Sequence, residues 1–112
     1  MRIIPLILIL FSAPVLADRT GKDLLEQCHE WKKYYAHGSS DPNVAYTSGK
    51  CVAYIQGIAD SLYVQKQYCP ARSISTQRTR AVIEYLEKHP SLLEEDKMQA
   101  VTQALIGAFP CE

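Results

Sequence analysis

Residues 41–70 read DPNVAYTSGKCVAYIQGIADSLYVQKQYCP, and this stretch decides the fold. Asp41 has a side chain suited to an N-cap, and Pro42 suits the first helical position, where a missing N–H is no loss. Cys51, Ile55, Ile58 and Leu62 then recur at helical spacing and form one apolar stripe. The pattern predicts a helix from near Asp41-Pro42 to about Gln67, closed by Cys69-Pro70. Gly49, Ala53 and Gly57 add a line of small residues on the same helix. Glycine costs about 0.5–1 kcal/mol inside a helix, so this line predicts the close approach of another backbone. A break at Gly49, with the helix beginning near residue 48, is the alternative.

Three more helical segments flank this one, and no segment reads as a strand. The first spans about Lys22 to Ala36, with Thr20 and Asp23 as a capping-box-like pair and Leu24, Cys28, Trp31 and Tyr35 as its stripe. His37-Gly38-Ser39-Ser40-Asp41 breaks it. A third helix, about Thr76 to Lys88, is capped by Ser73 or Ser75, turns Val82, Ile83 and Leu86 inward, and stops at His89-Pro90. A fourth runs from about Glu94 to Ala108. Glu94, Glu95 and Asp96 lie at its positive end, Met98, Val101, Leu105 and Ala108 face inward, and Pro110 closes it. The expected fold is all-α, a small up-down-up-down four-helix bundle.

Four cysteines, Cys28, Cys51, Cys69 and Cys111, allow three pairings. An antiparallel hairpin of the first two helices turns near residues 39–40 and sets Cys28 opposite Cys51. Cys51 and Cys69, read as sharing one helix, would stand about 27 Å apart at 1.5 Å per residue, whereas a disulfide needs Cα atoms within about 7 Å. Cys28–Cys69 fails for the same reason. Cys28–Cys51 and Cys69–Cys111 remain, the second joining the ends of helices two and four at one pole.

The N-terminus points to the compartment. Arg2 precedes an apolar run, Ile3 to Phe11, and Val15-Leu16-Ala17 has the short residues of a cleavage site. The expectation is a signal peptide at 1–17, cut after Ala17, and one domain at 18–112 in the periplasm. An uncleaved membrane anchor is the alternative, but the run falls short of the roughly 20 apolar residues that span a bilayer. An even cysteine count in a short exported chain reads as disulfides. Arg2 is the only charge removed with the signal, so the remaining chain carries eleven basic and twelve acidic side chains. A near-neutral chain without a basic block argues against nucleic acid or an anionic membrane as partner.

Chemistry is not visible in this sequence. His29, His37 and His89 are scattered, with no spacing that would hold zinc. Paired cysteines leave no thiolate nucleophile, and no serine lies in a hydrolase-like element. No cofactor is expected, and the chain reads as a non-enzyme. Asp60 reads as a half-exposed or structurally hydrogen-bonded residue, with a contact in a partner interface as the alternative. Seven tyrosines are many for so short a chain. Tyr34, Tyr35, Tyr54, Tyr63 and Tyr85 are expected to line the core in part, and at least one exposed aromatic patch should remain.

The order Cys28, Trp31, Gly49-x-Cys51-x-x-Tyr54-Ile55-x-Gly57-x-x-Asp60, Cys69-Pro70, Tyr85-Leu86-x-x-His89-Pro90 and Ala104-Leu105-x-x-Ala108-Phe109-Pro110-Cys111 resembles the type VI secretion amidase-immunity proteins, the Tai/Rap group. The resemblance covers essentially the whole chain after the signal. It implies a disulfide-bonded periplasmic protein, commonly a homodimer, that binds and blocks a peptidoglycan amidase effector of the NlpC/P60 cysteine hydrolase type. It further implies that a loop before the last helix enters the amidase cleft. On this chain that loop is His89, Pro90, Ser91, Leu92, Leu93, Glu94 and Glu95, with His89 and Pro90 shaping the turn and the other hydrophobic and acidic residues making contact. The competing expectation is a periplasmic stress chaperone or assembly factor of the same fold with no toxin partner.

Overall fold

The computed structural model describes residues 18–70 and 73–111; the predicted signal peptide and its cleavage site lie outside them. Four helices make the fold: α1 (Gly21–His37), α2 (Pro42–Val64), α3 (Ser75–Lys88) and α4 (Lys97–Ala108), with a 3₁₀ segment (Pro90–Glu94) between the last two. Among the described residues there is no strand. The core of this four-helix bundle is Leu24, Ile55, Val82, Ile83, Leu86, Val101 and Leu105, closed around the Cys28–Cys51 bond.

α1 starts at a capping box: the Asp23 amide donates to the Thr20 hydroxyl, and the Thr20 amide donates to the Asp23 carboxylate. Leu24, Cys28 and Trp31 are buried as the stripe predicts, but Tyr35 is 56% exposed and stacks on Trp31 instead. Gly38 stops the helix at φ 71°, a left-handed turn that glycine adopts without a Cβ clash.

α2 begins at Pro42 behind the Asp41 cap, so Gly49 does not break it. Cys51, Ile55 and Leu62 are buried, and Ile58 is half-buried beside Ala59. The small-residue line departs from expectation: Gly49, Ala53 and Gly57 face outward, and a Cβ added at either glycine would meet nothing within 4 Å. Among the described residues no backbone uses the room they leave. The helix also ends at Val64, three residues before the predicted Gln67. Lys66, at φ 60°, forms a Schellman turn in which its amide donates to Tyr63 O and the Gln67 amide donates to Leu62 O.

Cys69 therefore lies beyond α2 rather than on it. The pairing nevertheless holds: Cys28–Cys51 and Cys69–Cys111 are both formed, each with Cα atoms 5.1 Å apart. The hairpin sets the first pair, while the return of the chain after the Schellman turn brings Cys69 to the end of α4.

Neither serine caps α3. Its N-cap is Ile74, and the Gln77 side chain accepts from the Ile74 amide. α4 starts at Lys97 rather than Glu94, because Asp96 is its cap and accepts from the Met98 amide. Met98, expected in the core, is 56% exposed, and Ala100 and Ala104 complete the buried face with Val101 and Leu105. Met98 sits in the first turn at the edge of that stripe. Asp60 is exposed on α2.

Candidate functional site

The segment His89–Glu95 is a short, stiff corner held on three sides. Its 3₁₀ turns are closed by the amides of Leu92 and Glu95, which donate to His89 O at 3.0 Å and Leu92 O at 3.2 Å. Leu92 is buried at 7% exposure, and Leu93 packs against the core. Together they anchor the corner from inside. The Glu95 carbonyl accepts from the Gly21 amide at 2.9 Å, and the Lys97 amide donates to Arg19 O at 2.9 Å. These two bonds flank an isolated antiparallel bridge between Thr20 and Asp96, which ties the start of α4 to the start of α1.

Gly21 makes that seam possible. A Cβ there would collide with the Leu92 carbonyl and would come within 2.9 Å of the Ala100 methyl. At the other end, the His89 ring stacks on Tyr85 with centroids 3.9 Å apart, and its Nδ1 donates to the Tyr85 carbonyl at 2.7 Å. The carbonyl can only accept, so the proton sits on Nδ1. What remains outside is His89, Pro90, Ser91, Glu94 and Glu95, all exposed, with Leu92 turned inward.

An ionic node supports the same end of the bundle. Asp18, held in a left-handed conformation at φ 77°, accepts from Lys50 of α2 and Lys97 of α4, both at 3.1 Å, and from Gln27 of α1 at 2.8 Å. Burial pushes the Asp18 carboxyl up, but the hydrogen bonds of Lys97, Lys50 and Gln27 together hold it below the usual carboxylate range. The Lys97 ammonium also lies 4.2 Å from the Tyr54 ring centroid. Partial burial, with Asp96 and Asp18 nearby, raises the Tyr54 hydroxyl. The Asp23 carboxyl is lowered by the amides of Arg19 and Thr20. Carboxylates lowered in this way are fixed anions, unlike an acid or base poised near neutrality.

The Asp18 node and the Gly21 seam escaped sequence reading. Asp18, Lys50 and Lys97 lie far apart in sequence and share no motif. Gly21, in the first turn of a helix, was the available signal for the seam. The predicted aromatic patch is present: Tyr34 and Tyr35 are exposed and line a groove with Trp31, Ala45, Gly49 and Val52, and Tyr46 is exposed on α2. Tyr54 and Tyr85 pack on the core, whereas Tyr63 is 62% exposed; Tyr68, which was not expected in the core, is buried. Among the described residues no group of three or more His, Cys, Asp or Glu side chains could hold a metal ion, and no helix is long and apolar enough to cross a membrane.

No curated protein matches the chain. The family model of the Rap1a immunity proteins matches residues 20–111, from the capping threonine of α1 to the last cysteine. That match takes in all four helices, both disulfides and the His89–Glu95 corner, and the chain belongs to the Rap1a immunity protein family.

Proposed function

We propose that this protein is exported to the periplasm, loses residues 1–17 after Ala17, and there inhibits a type VI secretion peptidoglycan amidase of the NlpC/P60 cysteine hydrolase type. Its helical domain, 18–112, would protect the producing cell by occupying the amidase cleft. The contact surface is the outer side of the corner formed by His89–Glu95. Leu92 and Leu93 hold it from within, while His89, Pro90, Ser91, Glu94 and Glu95 face the partner.

The observation that carries this reading is the stiffness of the corner. Ordering a mobile segment costs roughly 0.5–1.5 kcal/mol per immobilised side chain. Here the order is already present in Leu92, in the Glu95–Gly21 bond and in the His89–Tyr85 stack. Two exposed carboxylates, Glu94 and Glu95, suit a basic rim on the partner and would speed encounter at low salt. Inhibition by occlusion asks for no acid, base or nucleophile from the inhibitor.

The same reading includes a homodimer. The outward face of α2 offers a surface for it: Tyr46, Gly49, Ala53, Gly57, Tyr63 and Val64 are exposed, on a 23-residue helix whose only charged side chains are Lys50 and Asp60.

Co-expression in the periplasm with a type VI peptidoglycan amidase of the NlpC/P60 type, sought first among neighbouring genes, tests the proposal. Rescue of growth and a co-purifying complex are expected. The double substitution Glu94→Lys/Glu95→Lys should weaken the complex by at least about tenfold while leaving the helical signal unchanged. No complex, or one indifferent to the charge reversal, refutes the assignment of this corner.

A further inference from the structure

The two disulfides occupy opposite environments. Cys28 and Cys51 are both 0% exposed, sealed between α1 and α2 in the centre of the core. Cys69 and Cys111 are both exposed at the pole where α2 and α4 end. The exposed pair lies in an open depression lined by Tyr63, Val64, Lys66 and Tyr68. Tyr63 and Val64 are 62% and 80% exposed there, and Lys66 is the one charged residue of the lining among the described residues. A thiolate approaching this pole meets an open bond, apolar surface beside it and a cation.

We propose that Cys69–Cys111 is a thiol–disulfide exchange site open to an external dithiol in the folded protein, while Cys28–Cys51 is closed to it. Exchange needs a thiolate to reach a disulfide sulfur, so access governs the rate. One thiolate of the dithiol attacks a sulfur of the pair and forms a mixed disulfide. The displaced cysteine leaves as a thiolate and takes up a proton. The second thiol of the dithiol, as its thiolate, then attacks the dithiol's own sulfur in the mixed disulfide, and the second cysteine leaves as a thiolate and takes up a proton. The protein gains two thiols, and the dithiol is oxidised to its own disulfide.

The fold confines the consequence. Beside the bond, Phe109 packs edge-on against Tyr68, and the Cys69 amide donates to the Phe109 carbonyl at 3.1 Å, two contacts that do not run through the sulfurs. The α1–α2 hairpin keeps its own cross-link. The His89–Glu95 corner lies at the other end of α4, about 18 Å away along twelve residues of helix. Opening this bond therefore loosens one pole and leaves the other intact.

The test treats the native chain with graded dithiothreitol, quenches by alkylation, and maps labelled cysteines by mass spectrometry while circular dichroism follows the helices. Cys69 and Cys111 should take label together, at least about tenfold faster than Cys28 and Cys51, with the helical signal retained. A Cys69→Ala/Cys111→Ala variant should take no label under the same conditions. Simultaneous labelling of all four cysteines, earlier labelling of Cys28 and Cys51, or no labelling short of unfolding would each overturn the proposal. Mapping the native chain decides the matter even where the variant fails to fold.

Discussion

Removing each disulfide in turn sets two physical effects against one another. In the chain-entropy account, a cross-link stabilises more when it closes a longer loop. With separations of 23 and 42 residues, Cys28–Cys51 and Cys69–Cys111 are worth about 3.4 and 4.0 kcal/mol respectively. On loop length alone, Cys69→Ala/Cys111→Ala should be the costlier change. Burial reverses the order. Cys28 and Cys51 are sealed at 0% exposure, so Cys28→Ala/Cys51→Ala deletes two sulfurs from the centre of the core. Lost transfer energy and the residual cavity add roughly 1–1.5 kcal/mol per sulfur, which brings the total to about 5.5–6.5 kcal/mol. The exposed pair forfeits little packing and stays near 4 kcal/mol. A domain of this length has on the order of 5–14 kcal/mol in all, so the buried pair's removal takes away much or all of it. Urea unfolding followed by far-UV circular dichroism gives the comparison, with the m-value of both variants expected to rise as the denatured chain expands. A variant unfolded without urea counts as the less stable. If Cys69→Ala/Cys111→Ala proves the more damaging, or the two are equal, packing around the inner sulfurs does not outweigh loop closure and the reasoning fails.

Three further outcomes follow from named contacts. Gly21→Ala should cost about 1–3 kcal/mol, since the new methyl is driven into the Leu92 carbonyl and the Ala100 side chain; hydrogen exchange at the Glu95 and Lys97 amides should rise with it, and a thermal midpoint equal to the parent's would contradict the close seam. Gly57→Ala should stabilise the monomer by about 0.5–1 kcal/mol, because the helix gains propensity and the added carbon meets nothing; a loss of stability in dilute samples would mean that another surface already covers this face. Asp18 and Asp23 have carboxyls below their unfolded values, so their stabilisation is full above the ordinary carboxylate pKa and is lost as pH falls through the lowered one. Asp18→Asn should accordingly flatten the acid limb of a stability–pH profile, and an unchanged limb would show that the Lys50–Lys97 node carries no such linkage.

Helical periodicity made the bundle legible because burial on a helix is a local, repeating property. Leu24, Cys28, Cys51, Ile55, Val82, Ile83, Leu86, Val101 and Leu105 were all placed inward from spacing alone, and all are buried. The departures have a common origin: spacing identifies a face but not what lies opposite it. Tyr35 continues the α1 stripe yet stays exposed, covering Trp31 instead of being covered itself. Gly49 and Gly57 signal that a backbone could approach, yet none among the described residues does. The end of α2 was misplaced for another reason. Lys66 adopts a positive φ that favours glycine, so the sequence at that position carries no stop signal.

The corner before α4 shows how a shift of a few residues alters the chemical meaning of a motif. Read as the first turn of a helix beginning at Glu94, the acids Glu94, Glu95 and Asp96 would all be drawn to the positive end of the dipole and committed to stability. The 3₁₀ segment instead holds Glu94, and Glu95 follows in extended backbone at φ −76° and ψ 160°. Asp96 alone becomes the cap. One acid is thereby spent inside the fold, and the other two project from a corner fixed by Leu92, Gly21 and Tyr85. Local propensity could not divide the three, because the division depends on where α1 begins. Its Thr20–Gly21 start pairs with Glu95 and Asp96, and that pairing sets where α4 can start. The separation of structural from available charge at this site is thus a tertiary property, written jointly by residues more than seventy positions apart in the chain.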